Sequence, residues 1–509
     1  MNYSDVFAKV ISHAKEYGFI FPSSEIYDGL SAVYDYGPMG VELKNNIKDL
    51  WWRAMVQMHE NVVGLDAAIL MHPQVWKASG HVDAFSDPLI DNKDSKKRYR
   101  ADNLIEDWMQ KQEDKIKKEV EKAAKRFEDF DEAMFRSTNG RVVEYQAKIN
   151  EVNDRFTAAL NAEDMAELRQ IIVDLEIACP ESGSRNWSEV RQFNLMFKTA
   201  IGAVAGDAQD IYLRPETAQG IFVNFLNVQK SARQKVPFGI AQIGKAFRNE
   251  IVARQFIFRM REFEQMEMQF FVRPGTDAEW FAKWKEKRHQ WHLALGLPTE
   301  RLRFHAHEKL AHYANAAEDI QFEFPFGFKE LEGIHSRTDF DLTEHQKFSG
   351  RKLQYYDPEL KESYVPYVIE TSVGLDRSFL AHLSNAYNEE DVNGETRVVL
   401  KLHPALAPIK VAVFPLVEKE GLPEIALEIF HKLKYDYRTH YEDGRDSIGK
   451  RYRRMDAIGV PYAITVDHQT KEDQTVTIRE RDSMEQVRVH IDEINAKIAD
   501  RLSIRSILG

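Results

Sequence analysis

The apolar positions of this chain change their period several times, and each change marks an element. From Met1 to Gly18, and again from Val41 to Asn61, they recur at helical spacing. The second run passes through Leu43, Ile47, Leu50, Trp51, Ala54 and Met58. Phe19 to Tyr36 reads as strand or turn, and Gly37-Pro38-Met39-Gly40 is a breaker before the second helix. Val62 to Met71 is an apolar strand that stops at His72-Pro73. Asp91 to Cys179 is highly charged, with helical spacing at Ile105, Trp108, Ile116 and Val120, and again from Val142 to Ile177. The break at Ser137-Thr138-Asn139-Gly140 predicts a helical hairpin. Ile211 to Leu213 is a strand leading into Arg214-Pro215-Glu216-Thr217, where proline in the first turn starts a helix. Trp280 to Leu295 is an amphipathic helix, and Phe322 to Asp341 holds a strand and a turn. Tyr364 to Thr371 is an apolar strand, followed by a glycine-led helix from Gly374 to Leu383.

Pro404 to Pro408 punctuates the chain, and the pattern changes beyond it. Ile409–Leu416, Glu424–Leu433, Tyr435–Tyr441, Ser447–Ile458, Tyr462–Val466 and Thr475–Ile478 read β-α-β-α-β-β, closed by a helix from Ser483 to Leu502. Strands alternating with helices predict a mixed-sheet α/β domain. No internal repeat or low-complexity segment interrupts the chain.

The stretch from Phe238 to Phe271 organises the rest. Phe238 to Arg248 and Arg261 to Phe271 are two strands joined by a polar loop holding Arg254 and Arg259. Strand alternation puts Arg261, Phe263, Gln265, Glu267 and Gln269 on one face. Such a polar face is expensive to bury without partners. Either it is the solvated side of a hairpin, or it is a floor for a polyanionic ligand. In the second reading arginines meet phosphate, Phe263 stacks on a base, and Gln265 and Glu267 meet an amine. Glu216 is open to two readings as well, an ammonium ligand or an acid that complements a helix dipole.

Composition narrows the class. With 509 residues the chain is long for one domain, and two or three are expected. Its 43% hydrophobic content supports large cores and excludes global disorder. The lone cysteine, Cys179, excludes a disulfide framework and a cysteine-based zinc site, so no zinc is expected and a reducing cytoplasm suits the chain. His59, His72 and His81 lack metal-ligand spacing. The N-terminal helix mixes acids with bases and is not a signal peptide, and no stretch is long enough to span a bilayer. A formal net charge of −12 does not suggest nucleic acid, but binding depends on a local basic face. The run ending in Arg445, Lys450, Arg451, Arg453 and Arg454 is the candidate, with a solvated helix face as the alternative.

These residues carry a resemblance. FRNE at 247–250 with REF at 261–263 resembles motif 2 of class II aminoacyl-tRNA synthetases, in particular the dimeric glycyl type. FNLMFKT at 193–199 and YLRPETAQGIF at 212–222 are similar to stretches of the glycyl enzymes, and ETSVGLDR at 370–377 resembles motif 3. The resemblance implies a class II catalytic domain over 1–403, α/β (α+β) in class, built on a mostly antiparallel sheet with flanking helices. A helical insertion would occupy about 91–179 and an anticodon-binding domain 404–509. The helix and strand of residues 41–71 resemble motif 1, which implies a homodimer.

The same resemblance implies a glycine–tRNA ligase activity that uses ATP with Mg²⁺, tRNA(Gly) as partner and no membrane. It assigns catalysis to Arg248, Arg377 and Glu330. Arg248 would bridge the glycine carboxylate and the α-phosphate, Arg377 would hold the γ-phosphate, and Glu330 would ligate the metal. ATP would also meet Asn249, Glu250, Phe258, Arg259, Met260, Arg261, Glu262, Phe263, Leu331, Gly374, Leu375 and Asp376. Glycine would meet Arg100, Glu216, Phe263, Glu264, Gln265, Met266, Glu267, Arg337, Glu370 and Ser372, with Arg337 on its carboxylate. The basic run at 445–454 would meet tRNA. Two rival readings keep the scaffold: a non-catalytic class II-like nucleic-acid-binding accessory subunit, and an enzyme that adenylates a free small molecule.

Overall fold

Period-2 alternation decides the central sheet. In the computed structural model, which describes residues 3–126, 130–202, 209–251, 255–307, 310, 314–443 and 445–508, seven strands form it. They are β1 (Val62–Gly64), β2 (Phe238–Phe247), β3 (Glu262–Val272), β4 (Leu302–Ala306), β5 (Ala316–Phe324), β6 (Gly327–Thr338) and β7 (Tyr367–Gly374). Their order is β4-β5-β6-β7-β3-β2-β1. Every pairing is antiparallel except β1 with β2.

One face of the sheet is mostly apolar. Met266, Met268 and Phe270 of β3 pack there with Trp284 and Trp291 of helix Asp277–Ala294 and with Phe379 and Leu380 of helix Leu375–Ala386. The other face is divided. At one end Ile240 and Phe271 meet Ile221, Phe222 and Phe225 of helix Ala218–Ser231. Beyond that apolar cover the same face turns polar, and the candidate site lies there.

The first long helix runs Pro38–Trp52 and continues as a π-turn, Arg53–Gln57, ending before the expected Asn61. β1 is shorter than the expected 62–71 strand. The Ala67 N–H donates to the Gln242 side chain at 3.0 Å instead of extending the ladder. Beyond residue 410, β8 (Val411–Pro415), β9 (Thr439–Tyr441), β10 (Tyr462–Val466), β11 (Thr475–Glu480) and β12 (Gln486–His490) form a mixed sheet in the order β9-β8-β10-β11-β12. The expected closing helix from Ser483 is a strand in its first half. Val487 and Val489 alternate with polar residues and pair with Ile478 and Val476, so only Ile494–Leu502 remains helical.

Residues Gly80–Met196 with Asn249–Val252 cluster as a separate unit. Within it, helices Ala101–Ala124 and Gly140–Asn161 pack through Ile116, Val120 and Val142. Asn139 caps the second helix by accepting from the N–H groups of Arg141 and Val142. Strands Ser86–Asp91 and Arg191–Asn194 pair and close this unit on either side of the 91–179 segment. Among the described residues, no helix is long and apolar enough to cross a membrane.

Candidate functional site

The polar face is built from two rungs of the sheet. Register places Gln242, Glu267, Ser372, Gly333, Asp319 and His305 along one rung. The next holds Gln269, Glu370, His335 and Ala317. Residues on a rung share a face, so four strands deliver acids and amides to one patch.

Hydrogen bonds then lock that patch. The Thr217 hydroxyl donates to Glu267, and Gln269 Nε2 donates to both Glu267 Oε1 and Glu370 Oε2 at 2.7 Å. Glu370 is also held by His335 Nδ1 at 2.7 Å and by Arg337 Nη1 at 2.9 Å. Gln219 Nε2 donates to Glu216 and to Asp341, each at 3.0 Å. Gln265 accepts from the Thr217 N–H at 3.2 Å and donates to the Ser372 hydroxyl at 3.3 Å. Of these, Thr217, Gln219, Gln269, His335 and Asp341 were not singled out from the sequence as site residues. Only Gln269 had a signal, its parity with Glu267.

The two central carboxyls differ in charge preference. Burial, Glu370 and Glu216 together push the Glu267 carboxyl well above the usual carboxylate range. Burial also acts to raise Glu370, but Arg337 and His335 outweigh it and hold that carboxyl low. The two carboxyls are thus pushed in opposite directions, Glu267 upward and Glu370 downward.

Several expected side chains face elsewhere. Glu264 and Met266 have the opposite parity to Glu267, which removes both side chains from the polar patch. Glu264 meets Lys44 at 2.6 Å and Lys48 at 3.6 Å, and Met266 is in the core. Asp376 is buried, receiving the Tyr36 hydroxyl, Lys44 Nζ at 3.2 Å and the Glu264 N–H at 2.8 Å. Met260, Leu331 and Leu375 are core side chains, so none of the three offers a side chain to the polar face. Arg337 holds Asp341 through Nε (2.8 Å) and Nη2 (3.0 Å), and Glu370 through Nη1. These bonds tie Arg337 to Glu370 on the polar face.

Two guanidinium groups line the same face. Arg248 lies 5.2 Å from the Phe263 ring centre and donates through Nε to the Pro215 carbonyl at 3.1 Å. Arg377 lies 4.4 Å from the ring centre of Phe258, itself mostly buried, and pairs with Glu330 at 3.0 Å. Gly374 is the N-cap of the Arg377 helix, whose N-terminus favours an anion. Glu330 reaches this face because of a β-bulge. Ile320 pairs with Glu332 but Gln321 pairs with Glu330, so one extra residue, Leu331, shifts the parity of β6. Arg377 beside it holds the Glu330 carboxyl below its usual range. Arg259 is half-buried where the loop re-enters β3. Arg261 donates to the Ser31 carbonyl at 3.2 Å, and Glu262 pairs with Lys245. Arg254 lies outside the described residues.

Arg214 supports the turn beneath. Its Nε donates to the Lys245 carbonyl at 2.6 Å and its Nη1 to the Ala67 carbonyl at 2.8 Å. A Cβ at Gly244 would lie 2.2 Å from Arg214 Nη2, so only glycine permits that approach.

Arg100, Asn249 and Glu250 belong to the separate unit. There Arg100 pairs with Asp87 at 2.8 Å and with Asp102 at 2.6 Å, the Asn249 N–H donates to the Leu195 carbonyl at 2.7 Å, and Glu250 is buried.

In the C-terminal sheet region, Arg445 and Lys450 are exposed, and Arg453 and Arg454 are half-buried beside acids. Arg451 differs from its neighbours. It is 0% exposed and donates to the carbonyls of Pro415 (2.7 Å) and Leu416 (3.1 Å), which takes it out of the basic surface.

Comparison with known proteins matches this architecture. Residues 197–388 match the tRNA synthetase class II core domain (G, H, P, S and T), residues 410–501 an anticodon binding domain, and residues 87–195 glycyl-tRNA synthetase insertion domain 1. Solved structures share the fold: a threonyl-tRNA synthetase chain from Cryptosporidium parvum superposes with a TM-score of 0.59 at 15% identity, covering 96% of each chain. A prolyl-tRNA synthetase from the same organism, complexed with L-proline and AMP, gives 0.54 at 14% identity, covering 97% of this chain and 74% of that one. The antiparallel sheet and its polar face are thus a class II tRNA synthetase core. The glycine–tRNA ligase of Chlorobaculum tepidum is 53% identical over 496 residues, 97% of this chain and 99% of that one. That of Staphylococcus haemolyticus is 50% identical over 498 residues, 97% and 98% of the two chains. The chain belongs to the glycine–tRNA ligase family.

Proposed function

We propose that the chain joins glycine to tRNA(Gly) in two steps on the polar face of the sheet. A glycine carboxylate oxygen attacks the α-phosphorus of ATP, the bond to the bridging oxygen breaks and pyrophosphate leaves. A hydroxyl of the terminal tRNA ribose then attacks the acyl carbon of glycyl-adenylate, and AMP leaves. Neither step needs a covalent enzyme intermediate, so alignment and charge stabilisation carry the chemistry. Alignment of this kind lowers a barrier by roughly 7–11 kcal/mol.

The observation that carries this reading is the Arg214–Thr217 turn, which joins a cation to a buried carboxylate pair. Arg248 donates to Pro215, while Thr217 donates to Glu267, and Gln269 ties Glu267 to Glu370. In our reading Glu216, Glu267, Glu370 and Ser372 take the glycine ammonium and crowd its α-carbon, while Arg248 bridges carboxylate and α-phosphate. Phe263 stacks on adenine, Arg259 lies near the pyrophosphate and Arg377 holds the γ-phosphate. Glu330 is a single carboxylate whose side chain is half-exposed. That suits Mg²⁺, which takes one or two carboxylates and fills its shell with phosphate oxygens and water. The ion would neutralise charge on the phosphates. We assign catalysis to residues 1–403, with the insertion at about 91–179, and anticodon binding to 404–509, in a cytoplasmic homodimer. Light scattering of the purified chain checks the dimer.

The decisive assay is ATP–pyrophosphate exchange with each amino acid, with and without tRNA. Glycine alone should support exchange. Exchange with another amino acid, or none with glycine, would overturn the proposal. Two substitutions in the basic helix should separate surface from core. Lys450→Ala is expected to weaken tRNA binding and lower its salt slope by about 1, with stability within about 0.5 kcal/mol of the parent. Arg451→Ala is expected to lower stability by about 1–3 kcal/mol, because the buried Pro415 carbonyl and the partly buried Leu416 carbonyl lose their donor. Filter binding and urea titration read the two effects.

A further inference from the structure

Beyond Glu370, three side chains that the proposed chemistry does not use converge on the edge half of the sheet. His307 follows β4, Asp319 lies on β5 and His335 on β6. Each offers one ligand atom, and the three atoms lie within 4.8 Å of one another. We propose that His307, Asp319 and His335 form a binding site for a divalent transition-metal ion of the zinc class.

The sheet is shaped to let these groups meet. The His307 N–H bonds to the Ala317 carbonyl at 3.0 Å, and Ala317 pairs with His335, so a methyl group is all that separates the two imidazoles along that rung. Asp319 pairs with Gly333 on the next rung. A Cβ on Gly333 would lie 2.9 Å from His335 Cε1, so the glycine leaves the space that the ring occupies. His307 Nε2 already meets Asp319 Oδ1 at 2.9 Å, a contact that an ion would replace with two bonds. His307 is one-third exposed, which leaves a route for entry.

The fourth group is what turns proximity into a built site. His335 Nδ1 meets Glu370 Oε1 at 2.7 Å. A carboxylate on one ring nitrogen fixes the tautomer and leaves the other nitrogen with its lone pair available, the arrangement that backs metal-bound histidines. Two imidazoles and one carboxylate favour zinc-class ions over magnesium or calcium, which prefer all-oxygen shells. Three protein ligands leave a further position for water. A site of this composition runs against the absence of zinc expected from the single cysteine. Its ligands come from two strands and the residue after a third, and have no sequence spacing to reveal them.

The test uses the full chain, stripped with a chelator and titrated with Co²⁺ and then with Zn²⁺. The visible absorption of Co²⁺ reports low-symmetry coordination, and calorimetry reports stoichiometry and affinity. Saturable uptake of a single Co²⁺ with a strong visible band, displaced by Zn²⁺ but not by excess Mg²⁺, is expected. His307→Ala and Asp319→Asn should each weaken Zn²⁺ binding by about 100-fold or more, exceeding the 10–100-fold loss that follows removal of an outer partner. His307 sits at the exposed sheet edge, so that variant keeps the test valid if a substitution at Asp319 unfolds the chain. Binding unchanged in His307→Ala, no visible band, or displacement by Mg²⁺ would each overturn the proposal.

Discussion

Glu267→Ala is expected to reduce glycine-dependent ATP–pyrophosphate exchange by about a thousandfold while the chain stays folded. Glu267 is 1% exposed, and its oxygens are held by Thr217 and Gln269. Removing one preorganised electrostatic partner from a dry site lowers turnover by about 10²–10³. Glu267→Gln adds a second readout. The folded-state value of the Glu267 carboxyl is raised, by burial first and then by Glu370 and Glu216. The native state therefore keeps this proton while the unfolded chain gives it up near pH 4.3 (about the usual glutamate value). Stability linked to this group is complete below that pH and declines as pH rises toward the folded value. Glutamine does not titrate, so the variant should gain melting temperature relative to the parent as pH increases through that window. Calorimetry across the range reads this, and exchange assays read the loss of function. Normal exchange in either variant would remove Glu267 from the proposed pocket.

The largest expected loss of stability comes from Glu332→Ala. Glu332 is fully buried on the apolar side of β6, where Arg288 reaches it through Nε at 2.6 Å and Nη2 at 3.2 Å, and His292 through Nε2 at 2.7 Å. Burial acts to raise this carboxyl, but Arg288 and His292 hold it below the usual range. Truncation strands the buried Arg288 charge, and breaking such a pair costs about 3–5 kcal/mol. A depressed carboxyl contributes stability above its unfolded value that is lost as pH falls through the folded one. The gap between parent and variant should therefore narrow in acid. Urea denaturation followed by circular dichroism at neutral and acid pH measures both effects, and equal midpoints at neutral pH would contradict the assignment.

The polar patch was partly legible because a strand alternates with period 2. Phe263, Gln265, Glu267 and Gln269 could be put on one face from spacing alone. The same rule disqualifies the side chains of Glu264 and Met266, which motif resemblance had drawn in. Resemblance aligns positions and carries no parity, so it gathers neighbours on both faces of a strand. Arg451 failed for a related reason. A basic run on a helix of period 3.6 must turn one of its residues inward, and here Arg451 turns toward the carbonyls of Pro415 and Leu416.

Local chemistry determined much from the chain alone: the strand pair around residues 238–271, the long helices, and the change of pattern after Pro408. These depend on spacing and turn residues, which are properties of neighbours in sequence. Tertiary structure alone decided the rest. The bulge at Leu331 turns Glu330 toward Arg377, and Gln269 joins Glu267 to Glu370 across two strands. Register and bulges arise from pairing between distant segments, where burial penalties are balanced across the whole sheet, and no local window of sequence contains that balance.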